Sequence, residues 1–176
     1  MKPEKNSKPY IVFDTNALIS AAILPNSASR KAFTLASQKF QLASSKATLD
    51  ELVGVIERPH LDKYFSAGNT RFSFLMLIAQ LSENVDTHSI ITDCRDPDDN
   101  KILELAVDVN AKIIVCGDND LLVLNPYRDI EILRPHEFLL RFKMWRQKKA
   151  MLLPAWLFYA DSNREVRVSD FQINAF

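Results

Sequence analysis

The sequence reads YIVFD at residues 10–14 and IIVCGD at residues 113–118, two short apolar runs that each end on an aspartate. Such runs are typical of strands buried on both faces of a parallel sheet. The chain between and after them alternates further short strand-like runs with stretches of helical periodicity. This alternation predicts an α/β fold with a mainly parallel central sheet and helices on both faces.

The remaining elements follow from periodicity and from turn residues. Helix 96–109 has a clear start, because Asp96 is a good N-cap and Pro97 suits the first helical position. The other predicted helices lie within 15–39, with a break at 25–27, and over 45–57, 69–84 and 135–149. Further strands are predicted at 40–44 and 130–133, and extended chain at 85–91.

Length and composition indicate one soluble domain with appendages. The chain has 176 residues, 47% of them hydrophobic, and its 22 basic residues balance its 22 acidic ones. We expect a leader at 1–9, the main domain at 10–149 and an extension at 150–176 that packs on the domain or on a partner. No segment approaches the roughly 20 apolar residues of a membrane span, so no membrane association and a cytoplasmic location are expected.

Three aspartates are candidates for a metal site. Asp14 and Asp118 should face one cleft if their strands are neighbours, because the carboxyl ends of parallel strands share one edge. At about 100° per residue, Asp99 lies near the centre of the apolar stripe of helix 96–109, and Asp98 lies nearer its edge. Three converging carboxylates repel one another, and the cation that oxygen ligands favour here is Mg²⁺ or Mn²⁺. The simpler alternative is that each aspartate only caps a helix.

Periodicity and spacing do not decide the roles of two further acidic residues, Glu51 and Asp120. Glu51 falls on the side of its helix away from Leu52, so periodicity favours a solvated side chain. Its small neighbours Ala47 and Gly54 would nevertheless leave room for a substrate backbone. Asp120 either extends the acidic cluster or caps the turn before the next apolar residues.

Four short motifs, in order, resemble those of the PIN domain. They read DTN at 14–16, EL at 51–52, DDNK at 98–101 followed by LELA at 103–106, and GDNDLL at 117–122. The resemblance covers about residues 10–143 and is nearest to the branch related to VapC toxins of toxin–antitoxin systems. It implies a PIN-like three-layer α/β/α sandwich.

The resemblance also implies a site and an activity. The implied roles are a catalytic acidic quartet holding one or two Mg²⁺ or Mn²⁺ ions, at Asp14, Glu51, Asp99 and Asp118, with supporting residues Asn16, Asp98 and Asp120. Family members of this type are metal-dependent endoribonucleases, in which attack by water leaves 5′-phosphate and 3′-hydroxyl ends. The implied partners are an RNA substrate, a small antitoxin protein and a second copy of the chain in a dimer.

Substrate contacts are sought in a basic stretch that also contains aromatic residues. Arg141, Lys143 and Arg146, interleaved with Phe142 and Trp145, can hold phosphates and stack on bases. A solvated amphipathic helix explains the same pattern equally well.

Two functions other than a nuclease are compatible with parts of this sequence. A phosphatase of the haloacid-dehalogenase type needs a second aspartate two residues after the first, and Asn16 stands at that position. The stronger alternative is a non-catalytic module for RNA binding or protein interaction on a PIN fold, with a vestigial acidic cleft.

Overall fold

The computed structural model of this protein describes residues 8–65 and 69–142, the side chains of residues 69 and 70 excepted. The predicted extension 150–176, most of the predicted leader 1–9 and the end of the helix predicted over 135–149 lie outside the described residues. The same holds for Lys143 and Arg146.

The central sheet has five parallel strands in the order β3-β2-β1-β4-β5. The strands are β1 Tyr10–Phe13, β2 Gln41–Ser44, β3 Ser82–Asn84, β4 Ile113–Val115 and β5 Glu131–Leu133. β1 and β4 are direct neighbours, with Phe13 in register with Val115. The two aspartate-terminated runs of the sequence therefore end side by side at one edge of the sheet.

Seven α-helices and two 3-10 turns surround the sheet in the described part of the chain. The helices are α1 Thr15–Ile23, α2 Ala28–Lys39, α3 Lys46–Ile56, α4 Asn69–Leu81, α5 Asn100–Asp108, α6 Asn119–Leu122 and α7 Pro135–Phe142. The 3-10 turns are Pro59–Tyr64 and Pro97–Asp99. Asp96 caps the second of these turns and Pro97 opens it, as the sequence predicted.

Strands β1, β2, β4 and β5 each contribute side chains to two separate hydrophobic cores, because successive side chains point to opposite faces. In β1, Ile11 and Phe13 belong to the core with α1, α2, α3, α4 and α7, whereas Val12 belongs to the core with α5. In β4, Val115 joins the first core and Ile114 the second. Helices thus cover both faces, and the predicted three-layer α/β/α fold is confirmed.

The prediction of a helix through residue 84 was wrong at its end. α4 stops at Leu81, and Ser82–Asn84 forms β3 at the edge of the sheet. The strand is polar and has little intrinsic β-propensity, so periodicity did not reveal it. It is held by tertiary contacts, among them the hydroxyls of Ser82 and Ser44 at 2.9 Å and the Tyr10 hydroxyl donating to Glu83 at 2.7 Å.

Within 8–65 and 69–142, no helix is both long and apolar enough to cross a bilayer.

Candidate active site

Asp14 lies at the carboxyl-terminal edge of the sheet, directly after β1, and is only 5% exposed. Its Oδ1 accepts the N–H of Ala17 at 2.5 Å and so caps α1. Its Oδ2 accepts the N–H of Gly117 at 2.9 Å, across to the turn that follows β4. One carboxylate therefore ties the start of a helix to the neighbouring strand, and each of its oxygens keeps a second lone pair for another ligand.

Asp118 and Asp99 approach the same edge from two other elements. Asp118 is the N-cap of α6, and its carboxylate accepts the N–H of Asp120 at 2.8 Å. Asp99 ends the 3-10 turn that leads into α5 and is half-buried, whereas Asp98 beside it is exposed. The structure turns Asp99, and not Asp98, toward the other carboxylates.

The electrostatics show that these carboxylates interact. The pKa of Asp14 is raised to about 6, first by burial and then by the charges of Asp118 and Glu51, against the lowering effect of its two backbone hydrogen bonds. The pKa of Asp99 is also raised to about 6, first by burial and then by Asp118, Asp96, Asp14 and Glu51. We call Asp14, Glu51, Asp99 and Asp118 the acidic cluster.

Glu51 is placed differently from what helical periodicity favoured. It is half-buried on α3 and faces α5, where Lys101 Nζ lies 3.3 Å from its Oε2. Val53, two residues further along the same helix, is 38% exposed. Because α5 covers the side of α3 that carries Glu51, the side chain joins the acidic cluster rather than open solvent.

Comparison with known proteins identifies the family. A family model of the PIN domain matches residues 10–120. The chain belongs to the PIN domain family. Uncharacterized protein MJ1680 of Methanocaldococcus jannaschii is 32% identical to this PIN domain protein over 152 residues, a match that covers 81% of this chain and 97% of the relative.

Among solved structures, one that this chain is similar to is VapBC2 from Rickettsia felis bound to a DNA fragment from their promoter. The TM-score is 0.49 at 17% identity, over 71% of this chain and 98% of that one. PIN domains are generally nucleases that use divalent metals, and the resemblance to the family that the motifs indicated is confirmed.

The donor set of the PIN acidic cluster fits a divalent cation. All its donors are carboxylate oxygens, the ligands preferred by Mg²⁺ and Mn²⁺. The pKa values of Asp14 and Asp99 are raised first by burial and then by neighbouring carboxylates, and a cation would lower both costs of ionisation. Across residues 8–65 and 69–142, no three His, Cys, Asp or Glu side chains are already close enough to coordinate one ion. Binding would therefore draw the carboxylates together.

Both cysteines border this cluster and are buried and unpaired. Burial raises the pKa of Cys116, with Asp14 the next contribution, and the pKa of Cys94 is raised by burial as well. They act as small hydrophobic residues of the second core.

The buried side chain of Asn100 stabilises the turn that carries Asp99. This buried side chain accepts the N–H of Cys94 at 3.0 Å and donates to the carbonyl of Pro97 at 3.2 Å. One amide thus holds both Cys94, before the turn, and Pro97, its first residue. The sequence did not reveal this role because an asparagine in a helical first turn has several uses.

Replacing Asn100 by alanine is expected to lower the free energy of unfolding by about 1–3 kcal/mol, because the buried N–H of Cys94 loses its partner. Urea unfolding measures this change. The matched control is Asn26→Ala, at an exposed turn position, which should stay within about 0.5 kcal/mol of wild type. Equal stability of Asn100→Ala and wild type would show that the amide does not hold the turn.

Two arginines at the site were not recognised in the sequence. Arg95 contacts Asp120 with two nitrogens, Nε at 3.0 Å and Nη2 at 2.6 Å, and Arg134 Nη2 donates to Asn119 at 2.7 Å. A signal existed for Arg95, which is the one cation within the acidic stretch 93–99. Asn16, the remaining supporting residue, is exposed in the first turn of α1.

Arg141, the described member of the predicted substrate-binding set, is not beside the acidic cluster. It lies near the end of α7, and its Nη2 contacts Glu131 at 2.6 Å. Glu131 is the first residue of β5 and therefore marks the amino-terminal edge of the sheet, opposite the acidic cluster.

Proposed function

We propose that this PIN domain protein is a metal-dependent endoribonuclease. The observation that carries the proposal is the approach of four carboxylates, from β1, α3, the 3-10 turn before α5 and the N-terminus of α6, to one edge of a PIN fold. The reaction is hydrolysis of an RNA phosphodiester: the oxygen of water bonds to phosphorus, the bond to the 3′ oxygen breaks, and that oxygen takes up a proton. The products carry 5′-phosphate and 3′-hydroxyl ends.

Asp14, Asp99 and Asp118 are the residues that would hold Mg²⁺ or Mn²⁺. When bound, such an ion acidifies water and neutralises charge on the phosphate oxygens. Asp14 is fixed by its two backbone hydrogen bonds, so its position is set before any ligand arrives. Glu51 is oriented by Lys101 through Oε2, which leaves Oε1 to accept a proton from the attacking water.

The biological role proposed is that of the toxin in a toxin–antitoxin pair. It rests on the likeness of the four motifs to VapC-type PIN domains. A small antitoxin that covers the acidic cluster, a dimer of the chain and a cytoplasmic location belong to the same proposal.

The test is cleavage of a labelled single-stranded RNA by the purified full chain. With Mn²⁺ or Mg²⁺ we expect cleavage, with chelator none, and the products should carry 5′-phosphate and 3′-hydroxyl ends. Ends with 2′,3′-cyclic phosphate in chelator would contradict the mechanism. RNA binding without cleavage at any metal concentration would favour the non-catalytic module instead.

A further inference from the structure

Two guanidinium groups bind side chains of the turn that carries Asp118. Arg95 forms a two-pronged ion pair with Asp120, and Arg134 donates a hydrogen bond to Asn119. We call Arg95 and Arg134 the arginine pair. The two residues come from elements that are distant in sequence, so their meeting at one three-residue turn is a product of the fold.

The arginine pair lies at the same edge of the sheet as the acidic cluster. Arg134 directly follows Leu133, the last residue of β5, which is in register with Val115 and whose carbonyl accepts the N–H of Cys116 at 3.0 Å. Arg95 belongs to the segment whose end Asn100 fixes, four residues before Asp99. Guanidinium nitrogens and carboxylate oxygens therefore lie at one edge of the sheet.

An RNA approaching this cleft needs local positive charge. The chain has no net charge, with 22 basic and 22 acidic residues, and the acidic cluster repels phosphate. Lys101 is turned to Glu51, and Arg141 is at the opposite edge of the sheet. Arg95 and Arg134 pair with carboxylates outside the acidic cluster, Asp120 and, at 3.9 Å, Glu137, and they place cations on the β4–β5 side of the acidic cluster.

Arg95 can exchange its partner at little cost. Its side chain is 84% exposed, against 17% for that of Asp120, and an ion pair with so exposed a member contributes at most about 1 kcal/mol. The planar guanidinium that now binds two carboxylate oxygens fits two phosphate oxygens equally well. Asp120 thus holds Arg95 beside the acidic cluster, in a pair that a phosphate could replace.

We propose that Arg95 and Arg134 bind backbone phosphates of the RNA substrate beside the acidic cluster. The inference rests on the proposed nuclease function and names the surface that presents the substrate to it. It replaces Arg141 with residues that share an edge of the sheet with the acidic cluster.

The experiment compares Arg95→Gln, Arg134→Gln and the matched control Arg141→Gln, which removes an exposed, carboxylate-paired arginine at the other edge of the sheet. Binding of a short fluorescent single-stranded RNA is measured by anisotropy in chelator, over a range of salt concentrations. Each site variant should weaken binding about fivefold to tenfold and reduce the slope of log K against log salt by about 0.7. The control should bind like wild type, and DNA of the same sequence should show the same losses, since phosphate is contacted.

A double-mutant cycle distinguishes a lost phosphate contact from a general loss of structure. Asp120→Asn should tighten RNA binding in the wild-type background, and this gain should shrink in the Arg95→Gln background because the two side chains are coupled. Thermal melting confirms that each variant is folded.

Wild-type affinity and salt slope in Arg95→Gln and Arg134→Gln would overturn the inference, and metal-dependent cleavage by wild type would then still support the proposed function. An equal loss in Arg141→Gln would also overturn it, since the contact would not be specific to the cleft. If wild type neither binds nor cleaves RNA, the proposed function itself fails.

Discussion

Asp99→Asn is expected to reduce metal-dependent RNA cleavage by about a hundredfold or more while the protein stays folded. The carboxylate faces Asp118, Asp14 and Glu51, and its charge is what a cation at the cluster would neutralise. Its side chain caps no helix, and its one described contact is with Cys94 Sγ at 3.9 Å. Asparagine keeps the shape of the residue and removes the charge.

Asp99 is a better choice for this test than Asp14. Both oxygens of Asp14 accept backbone N–H groups, so a substitution there disturbs α1 and the turn after β4 as well as the chemistry. The matched control is Asp50→Asn, an exposed aspartate on α3 that pairs with Lys46 and should keep wild-type activity. Initial rates on labelled RNA with Mn²⁺ measure the effect, and wild-type rates in Asp99→Asn would remove this carboxylate from the proposed metal site.

The second large effect expected is a pH-dependent stabilisation by Mn²⁺. In the metal-free protein the pKa of Asp14 is raised from 3.8 to about 6. As the pH rises from 3.8 to about 6, the Asp14 carboxyl ionises in the unfolded chain while it still holds its proton in the folded protein. The free energy of unfolding therefore falls as pH rises. The loss amounts to about 3 kcal/mol for Asp14 and is complete above pH about 6.

Binding of Mn²⁺ should restore that stability above pH about 6 but not at pH 5. At pH 7.5, with free Mn²⁺ at about a hundred times its Kd, the gain is about 2.7 kcal/mol. At pH 5 two protons, on Asp14 and Asp99, must first be displaced, which weakens binding about a hundredfold and leaves little stabilisation.

Urea unfolding with Mn²⁺ and with chelator, at both pH values and matched ionic strength, measures this difference. The difference between the two conditions matters more than total stability, because other groups titrate in the opposite direction. One is Asp108, whose pKa is lowered by hydrogen bonds from Ser89 and His88. An equal effect of Mn²⁺ at both pH values, or an undiminished effect in Asp99→Asn, would place the bound ion away from the acidic cluster.

Much of the fold could be predicted from local signals. Residues 10–13 and 113–116 are apolar throughout because parallel strands in this sheet are buried on both faces. The placement of Asp99 followed from the strong amphipathicity of the helix behind it, whose buried residues include Leu103 and Ala106. β3 was missed because its pairing with β2, and not its own residues, makes it a strand.

The sequence by itself determined the α/β architecture and the positions of Asp14, Asp99 and Asp118 at strand ends and a helix start, because these depend on local hydrophobic patterning. It also indicated the PIN family, through the resemblance of four short motifs. Only the tertiary structure decided the surroundings of Glu51, the place of Arg95 and Arg134, and the separation of Arg141 from the acidic cluster. Those features depend on which edge of the sheet an element reaches and which neighbour covers it. Long polar side chains follow such contacts, and residue spacing along the chain does not encode them.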